Sequence, residues 1–310
     1  MANAHQVDAP ADFPWFPHAV MLLTAVCFST NLIFGRFVIS DTAPFLLAAT
    51  RWFVVGLILL PFAWPHIRSG FSVISSNIAR LLLLASLGMG ICGGVVYLGV
   101  QNTTATNATL IYSVAPLVIM LLETVLRGRA TTRTEVFGSL IALSGVILIV
   151  LRADIATLVT FRFNVGDIFI AIATVSWAFY SLLYKSTDLS NAKPIAIFCV
   201  LAFLGAFVNA PIAIWELSSG ATLPSAPAGL LALVGIILIS SVAAFTGFQY
   251  GIRSLGPSRA GLFMYLMTPF GVLLAIALLG EKLETYHLVG IALVATGIIA
   301  TILGAKKVSA

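Results

Sequence analysis

Long apolar runs alternate with short polar interruptions along the chain. Each run is about 20 residues long, the length of an α-helix that crosses the apolar core of a bilayer. Ten runs are predicted as spans, at residues 18–37, 43–63, 79–100, 104–126, 134–151, 165–185, 194–215, 228–251, 258–279 and 285–304. The connections are short, the longest being 62–78 and 152–164. The pattern predicts an all-α integral membrane protein with ten transmembrane helices.

A degraded internal repeat relates the two halves of the chain. Three groups of residues recur in the same order at offsets of 153, 152 and 150: Tyr97, Tyr112 and Pro116 as Tyr250, Tyr265 and Pro269, Gly138 and Gly145 as Gly290 and Gly297, and Pro44 and Pro61 as Pro194 and Pro211. Each copy holds five spans, an odd number, so the second copy enters the membrane from the opposite side. We predict two inverted five-helix repeats, at 18–152 and 165–304, with tails at 1–17 and 305–310.

The composition supports a membrane protein and argues against other classes. Of the 310 residues, 60% are apolar and 9% are charged, whereas a soluble domain has about 25% charged residues. The net charge of +5 comes from basic residues in loops and is not evidence for nucleic-acid binding. The three cysteines lie in separate apolar runs without the spacing of metal ligands. We expect no disulfide, no metal site and no cofactor.

The basic residues of the loops predict the orientation of the chain. Eleven Lys and Arg residues fall on the side of the two termini and four on the other side, while Arg51 lies inside a span. Because positively charged loops stay cytoplasmic, both termini are predicted to be cytoplasmic. Residues 1–17 hold no Lys or Arg and no signal-peptide cleavage pattern, so the first apolar run is retained as a span.

Arg51 is the most conspicuous candidate for function. It lies about two turns into the second span, within the stretch L-A-A-T-R-W-F. An ionisable residue in the membrane is costly and marks a functional site by default. Arg51 is therefore interpreted as a contact for an anionic substrate group or for a gate. The alternative is a structural arginine that extends to the membrane interface or binds carbonyl groups of neighbouring helices.

Polar and aromatic side chains on the first and sixth spans form a second group of candidates. Asn31 lies on the less apolar face of the first span, and Trp177 and Tyr180 lie at corresponding depth in the sixth. A cavity lined by aromatic and amide groups would suit an amphipathic or aromatic solute. Further substrate-pathway candidates are Tyr97, Tyr112, Tyr250 and Tyr265. The alternative for the aromatic residues is a position facing lipid or at the membrane interface.

Glycine and proline residues within spans are candidates for helix breaks or gating. Gly90 and Gly94 form a small-x-x-x-small pattern in the third span, which favours close helix packing or a sliding surface. Pro116 and Pro269 lie well inside the fourth and ninth spans, where each should interrupt the backbone hydrogen bonds. The carbonyl groups freed in this way could bind a solute, or the kink could be passive.

Acidic residues are few, and none stands at the centre of a span. Glu123 precedes Arg127 by four residues and is predicted to form a structural helical pair with it. Asp167 begins the sixth span, where a helix N-terminus stabilises an anion. Proton coupling therefore stays open. The chain has neither the phosphate-binding loop of an ATPase nor the H-E-x-x-H motif of a metalloprotease, and no enzymatic activity is predicted.

Several loose motifs occur in a fixed order over nearly the whole chain. They are Asn31 with Arg36, Arg51-Trp52, the stretch T-A-T-N-A-T-L-I-Y-S-V-A-P ending at Pro116, Gly166-Asp167 with Trp177-Ala178-Phe179-Tyr180, G-P-S-R-A-G from Gly256, Y-L-M-T-P ending at Pro269, and Leu279-Gly280-Glu281. Together they resemble the EamA-type members of the drug/metabolite transporter superfamily. The chain departs from the family pattern at Arg127-Gly128-Arg129, where a Gly-Glu pair like Gly280-Glu281 is usual.

The resemblance implies a ten-helix bundle with a central cavity between the repeats. It also implies a secondary carrier of a bacterial cytoplasmic membrane, most often an exporter of amino acids or other small metabolites. We therefore predict export of a small metabolite, with amino acids, aromatic ones included, as the first candidates. The alternatives are an importer of a vitamin or nucleoside-like solute, an intramembrane enzyme and a non-transporting membrane sensor. The expected partners are a small solute and the lipid bilayer, in a monomer or a homodimer.

Overall fold

Ten helices are long and apolar enough to cross a membrane. A computed structural model describes residues 15–35, 37–38, 42–154, 163–185 and 192–306. Within these ranges the helices are α1 Trp15–Gly35, α2 Pro44–Ser69, α3 Ile78–Gln101, α4 Ala105–Arg127, α5 Arg133–Val150, α6 Val165–Tyr184, α7 Pro194–Ser218, α8 Pro227–Leu255, α9 Pro257–Leu279 and α10 Thr285–Lys306. Each predicted span matches one helix, which confirms the ten-span fold class. Most of both predicted tails, and Arg36 of the family motifs, lie outside the described residues.

Local sequence signals mark the helix boundaries. Proline occupies the first turn of α2, α7, α8 and α9, where its missing N–H group costs nothing. Gly128 and Gly280, which are 152 residues apart, end α4 and α9 with φ of +65° and +70°. Glycine adopts this left-handed conformation without strain. The repeat therefore extends to the way in which equivalent helices end.

The predicted loop at 62–78 is wrong. α2 continues as a helix to Ser69, through Pro61 and Pro65, and a short helix, Phe71–Ser76, follows it. The apolar run ends before His66 and Arg68, whereas the helix continues through both residues. Hydropathy thus predicts the apolar run and not the end of the helix.

The ten helices pack with two-fold pseudosymmetry. α2 packs along α7, and α5 packs along α10, so that equivalent helices of the two repeats pair with each other. α1 of the first repeat contacts α8 and α9 of the second, and α6 of the second repeat contacts α3 and α4 of the first. Each contact has a counterpart with the repeats exchanged. The predicted relationship between two five-helix repeats is therefore present in the packing.

The pairing of α5 with α10 depends on glycine at equivalent positions. A Cβ atom added at Gly145 would lie 2.6 Å from the carbonyl oxygen of Gly290, and one added at Gly138 would lie 2.6 Å from that of Gly297. The repeat equates Gly138 with Gly290 and Gly145 with Gly297. The two-fold operation therefore converts one of these contacts into the other.

Candidate functional site

Arg51 is buried inside the bundle and is bound by neutral groups. The residue is only 5% exposed to solvent. Nε donates to Ser241 Oγ at 2.6 Å, Nη1 to the Tyr97 hydroxyl at 2.7 Å, and Nη2 to the Ser240 carbonyl at 3.4 Å. The guanidinium carbon lies 4.8 Å from the ring centroid of Trp52. The guanidinium is thus directed at α3 and α8 inside the bundle, and its bond to the Ser240 carbonyl is the kind of contact expected for a structural arginine.

Among the residues that the structure describes, no acidic side chain pairs with Arg51. Ion pairs are found instead at one end of the bundle, where Arg129 lies near Glu123 and Glu135. A buried charge is costly when no opposite charge accompanies it. The site therefore holds a cation whose partners stabilise it only by hydrogen bonds and by an aromatic ring.

Two π-helical turns shape this region. They are Ser86–Val95 in α3 and Ile236–Ala243 in α8, and their first residues are 150 positions apart. In the second turn, Ser241 Oγ donates to the Ile236 carbonyl at 2.7 Å while it accepts from Arg51. π-Helical turns occur frequently at functional sites. Neither turn is predicted by the hydropathy pattern, although Ser240-Ser241 interrupts an apolar run at the second.

α1 connects the Arg51 site to α8 and α9. The hydroxyls of Thr30 and Ser240 are 2.9 Å apart. Ser29 Oγ donates to the Met267 carbonyl at 2.9 Å, where α9 is irregular. Asn31 follows Thr30 in the chain, and its buried Oδ1 atom has no hydrogen-bond partner among the residues that the structure describes. The predicted pathway residues Asn31, Arg51 and Tyr97 thus lie on the helices that surround one polar region.

Trp177 and Tyr180 belong to an aromatic cluster. The Trp177 ring stacks on Phe248 with centroids 4.9 Å apart, and Tyr180 lies 5.3 Å from Trp177. Phe28 of α1 contacts Trp177 edge-on at 6.0 Å. Trp177 and Tyr180 are 2% and 0% exposed, respectively. The aromatic side chains that were expected to line a cavity therefore pack against one another in this structure.

The four predicted tyrosines occupy different environments. Tyr97 binds Arg51, and Tyr112 lies beside the Cys92 thiol of α3. Tyr265 packs in a separate apolar cluster with residues of α5 and α10. Tyr250 contacts Phe16, near the start of α1, with centroids 6.0 Å apart. The structure therefore does not bring Tyr250 and Tyr265 to the Arg51 site.

The glycine and proline candidates lie at close contacts and at helix breaks. Gly90 of α3 faces Val208, and Gly94 faces Phe45, with no room for a Cβ atom at either position. Pro116 follows a break between the segments Ala105–Tyr112 and Ala115–Arg127 of α4. Pro269 follows a 3₁₀ turn, Phe263–Leu266, in α9. The equivalent helices α4 and α9 are thus both irregular just before their prolines.

Buried carboxylates support helix starts. Asp167 and Asn164 form a capping box at α6, and Asp167 also accepts from Asn107 Nδ2 at 3.2 Å. Glu216 of α7 accepts from the backbone N–H groups of Phe45 and Leu46 at 3.2 and 2.7 Å. These carboxylates replace the hydrogen bonds that a helix N-terminus lacks. Their roles are structural, as expected for Asp167.

The predicted pair of Glu123 with Arg127 is wrong. Glu123 accepts from the backbone N–H of Ser258 at 3.2 Å and from its hydroxyl, at the start of α9. Arg127 donates instead to the Leu182 carbonyl at the end of α6. Both residues therefore form hydrogen bonds with the ends of other helices. The spacing of residues within α4 cannot predict such contacts.

The departure from the family motif at Arg129 has a structural explanation. Arg129 follows Gly128 and binds Glu135, the third residue of α5, which also accepts from the backbone N–H of Thr132 at 3.0 Å. At the equivalent place in the second repeat, His287 Nδ1 accepts from the backbone N–H of Glu284 at 3.0 Å. His287 thus stands where the first repeat has Glu135, and Glu281 stands where it has Arg129. The capping contact to the backbone is kept, while the charge at position 129 is reversed at position 281.

Two open grooves lie on the bundle. One, of about 500 Å³, lies between α4 and α6, and the other, of about 350 Å³, lies between α1 and α8. Neither is lined by any of the predicted pathway residues. The second is lined in part by Val242 and Ala243, which belong to the π-helical turn of α8.

Two five-helix repeats related by pseudosymmetry, with a buried charge between them, form the architecture of inverted-repeat membrane transporters. The model of the EamA-like transporter family matches residues 15–151 and 164–303, one match for each repeat. The chain belongs to this family, and its resemblance to the drug/metabolite transporters is confirmed.

Individual relatives agree with this assignment. The chain is 26% identical over 297 residues to the "Uncharacterized inner membrane transporter YedA" of Escherichia coli K12, with 91% of both chains covered. It is 25% identical over 222 residues to the "Probable terminal-alkyne amino-acid exporter" of Streptantibioticus cattleyicolor, with 72% of both chains covered. A crystal structure has a TM-score of 0.74 at 17% identity, over 96% of this chain and 99% of the other, and shows the shared fold.

Proposed function

We propose that the protein is a secondary carrier of a bacterial cytoplasmic membrane that exports a small metabolite bearing a carboxylate group, with amino acids as the first candidates. Transport follows alternating access between the two repeats. The observation that carries the proposal is the buried charge of Arg51, which no acidic side chain of the described residues neutralises. Arg51 lies in the first repeat and binds Ser240 and Ser241 of the second.

A carboxylate is the solute group that this site fits best. The planar guanidinium binds a carboxylate through two parallel hydrogen bonds, which are among the strongest in proteins. A bound carboxylate would also supply the negative charge that Arg51 lacks. Trp52 and Tyr97, which already contact the guanidinium, place aromatic surface next to the charge. Such a site suits a solute with both a carboxylate and an apolar part.

The direction of transport and the solute class have independent support. The relative from Streptantibioticus cattleyicolor is named as an amino-acid exporter. The excess of basic residues on the side of both termini supports a cytoplasmic location of that end. The chain has no phosphate-binding loop for ATP, so a solute or ion gradient supplies the energy.

Transport by purified protein in liposomes tests the proposal. Liposomes are preloaded with pooled amino acids, nucleosides and vitamins, and mass spectrometry measures release with and without a pH gradient. Release of carboxylate solutes, reduced at least about 100-fold in Arg51→Gln as expected for a lost charge-assisted contact, supports it. Arg133→Gln, which alters an exposed arginine at the start of α5, is the matched control. Equal transport by Arg51→Gln and the native protein would overturn the assignment of Arg51.

A further inference from the structure

A single glutamine joins α8 to α6 at the end of the bundle where α1 begins and α10 ends, here called the terminal end. Gln249 is 2% exposed. Its Nε2 donates to the Tyr180 hydroxyl at 3.0 Å, and its Oε1 accepts from the Tyr184 hydroxyl at 2.9 Å. The two tyrosines are one helical turn apart on the same face of α6. We call this group the Tyr180–Gln249–Tyr184 latch.

The latch lies within a continuous contact between α6 and α8. Toward the middle of the membrane, Trp177 stacks on Phe248. Toward the terminal end, the Arg253 guanidinium carbon lies 5.3 Å from the ring centroid of Tyr184. Lys185 Nζ donates to the Arg253 carbonyl at 2.6 Å. Burial lowers the pKa of Lys185, as do the charges of Arg127 and Arg253, whereas the charge of Glu123 raises it.

The α8 segment that bears Gln249 begins at a π-helical turn. The turn covers Ile236–Ala243, and the regular segment Ala244–Leu255 follows it to the terminal end. Sharp bends of helices are found at π-helical turns. Arg51 binds Ser240 and Ser241 within this turn. From Ser241 to Gln249 is eight residues, about 12 Å along a helix, so the solute site and the latch lie on one short length of α8.

The repeat contains no second copy of the latch. Equivalent positions place Asn31 and Gly35 of α1 where α6 has Tyr180 and Tyr184, and Val96 of α3 where α8 has Gln249. The fold therefore forms at the opposite end without these three side chains. Their presence at the terminal end alone points to a role at that end of the pathway.

We propose that the segment Ala244–Leu255 is the gate at the terminal end, that it hinges at Ile236–Ala243, and that the Tyr180–Gln249–Tyr184 latch holds it closed. The inference rests on the proposed function and assigns the residues that close one side of that carrier. Gln249 is a positioning residue, because it acts by holding α8 against α6. Ser241 connects the gate to the solute site, because it joins the hinge to Arg51.

Hydrogen–deuterium exchange of the full-length protein in lipid nanodiscs tests the gate without any solute. The variants are Gln249→Ala, Tyr184→Phe, their double variant, and Ser241→Ala. Tyr286→Phe, which removes a tyrosine hydroxyl at the opposite end, is the control. We expect exchange in peptides from 178–185 and 244–255 to rise about tenfold in Gln249→Ala, the size expected for losing two buried hydrogen bonds. Tyr184→Phe should add nothing in the double variant, and Ser241→Ala should raise exchange in 244–255 alone.

A gate and a merely structural contact give different results. Opening of the terminal end should be accompanied by slower exchange at the other end of the pathway, in peptides from 92–101, because the two ends of an alternating-access carrier open in turn. The proposal would be overturned if Gln249→Ala raised the exchange rate in every helix. It would also be overturned if the rate at 178–185 and 244–255 did not rise. Should Gln249→Ala fail to fold, Tyr180→Phe and Tyr184→Phe remove one hydroxyl each and give the same test. Faster exchange confined to 178–185 and 244–255, together with no solute release from liposomes, would contradict the proposed function but not the proposed gate.

Discussion

Arg51 Nη1 donates a 2.7 Å hydrogen bond to the hydroxyl of Tyr97. This bond joins the charged side chain within the apolar part of α2 to α3 of the same repeat. Tyr97 is 3% exposed, so water does not replace this bond when it is lost. The tyrosine therefore fixes the direction of the remaining N–H groups of the guanidinium, which would meet the carboxylate of the proposed solute.

Tyr97→Phe removes the hydroxyl and keeps the ring. We expect the KM for a carboxylate solute to rise about five- to tenfold, because a misdirected guanidinium loses roughly one hydrogen bond of about 1 kcal/mol. Transport kinetics in liposomes measure the change, with Tyr286→Phe as the control. An unchanged KM would show that Tyr97 does not orient Arg51 for the solute.

Replacing Arg51 by methionine separates function from stability. Arg51→Met removes a buried cation that no carboxylate of the described residues pairs with, and it keeps an unbranched apolar stem. We expect transport to be lost while the free energy of unfolding stays within about 1 kcal/mol of the native value or rises, because exchanging a buried charge for an apolar side chain is often neutral or stabilising. A thermal-unfolding series in detergent measures this. A structural arginine would instead give a loss of about 3 kcal/mol or more.

The contact between α5 and α10 predicts a sharp difference between neighbouring residues. Gly145→Ala places a methyl group against the Gly290 carbonyl, so we expect it to destabilise the protein by about 1–3 kcal/mol, as overpacking does. Ser144 is exposed on the same helix, and Ser144→Ala should change stability by less than about 0.5 kcal/mol. Thermal or denaturant unfolding compares the two. Equal effects would contradict close packing at Gly145.

Asp167 predicts a stability effect at the end of the bundle opposite the terminal end. Its carboxylate accepts from Asn107 Nδ2 and from the backbone N–H of Asn164 at 2.9 Å, as well as from Thr103. Asp167→Asn keeps the shape but replaces one acceptor oxygen by a donor group. We expect a loss of about 2–3 kcal/mol, the range for hydrogen bonds to a charged group. Unfolding measurements test this, with Glu284→Gln, at an exposed position, as the control.

The sequence was sufficient for the architecture because the bilayer imposes a simple rule on it. Apolar runs of membrane length and an internal offset of about 150 residues predict ten helices in two repeats, and Arg51 stands out because it interrupts an apolar run. The same rule gives no information on how helices rotate against one another. Tyr97 and Tyr250 hold equivalent positions, yet one binds Arg51 and the other contacts Phe16.

Two further features could not be predicted from the hydropathy pattern. The π-helical turns of α3 and α8 change the hydrogen-bond register without a characteristic composition, since one is rich in glycine and the other in isoleucine and serine. Gln249 could have been suspected, as an amide between aromatic residues in F-Q-Y. Its role depends on Tyr180 and Tyr184, almost 70 residues away in the chain.

The paired glycines of α5 and α10 also describe how the two repeats could diverge. A two-fold contact in which each partner uses the same residues is the isologous interface of a homodimer, here enclosed within one polypeptide. In a true homodimer, every substitution would appear on both sides. Covalent fusion fixes the stoichiometry at one copy of each half and removes that constraint. Several residues are found in one half only, namely Arg51, Gln249, Arg129 and Glu281. The glycines that hold the halves together remain in both.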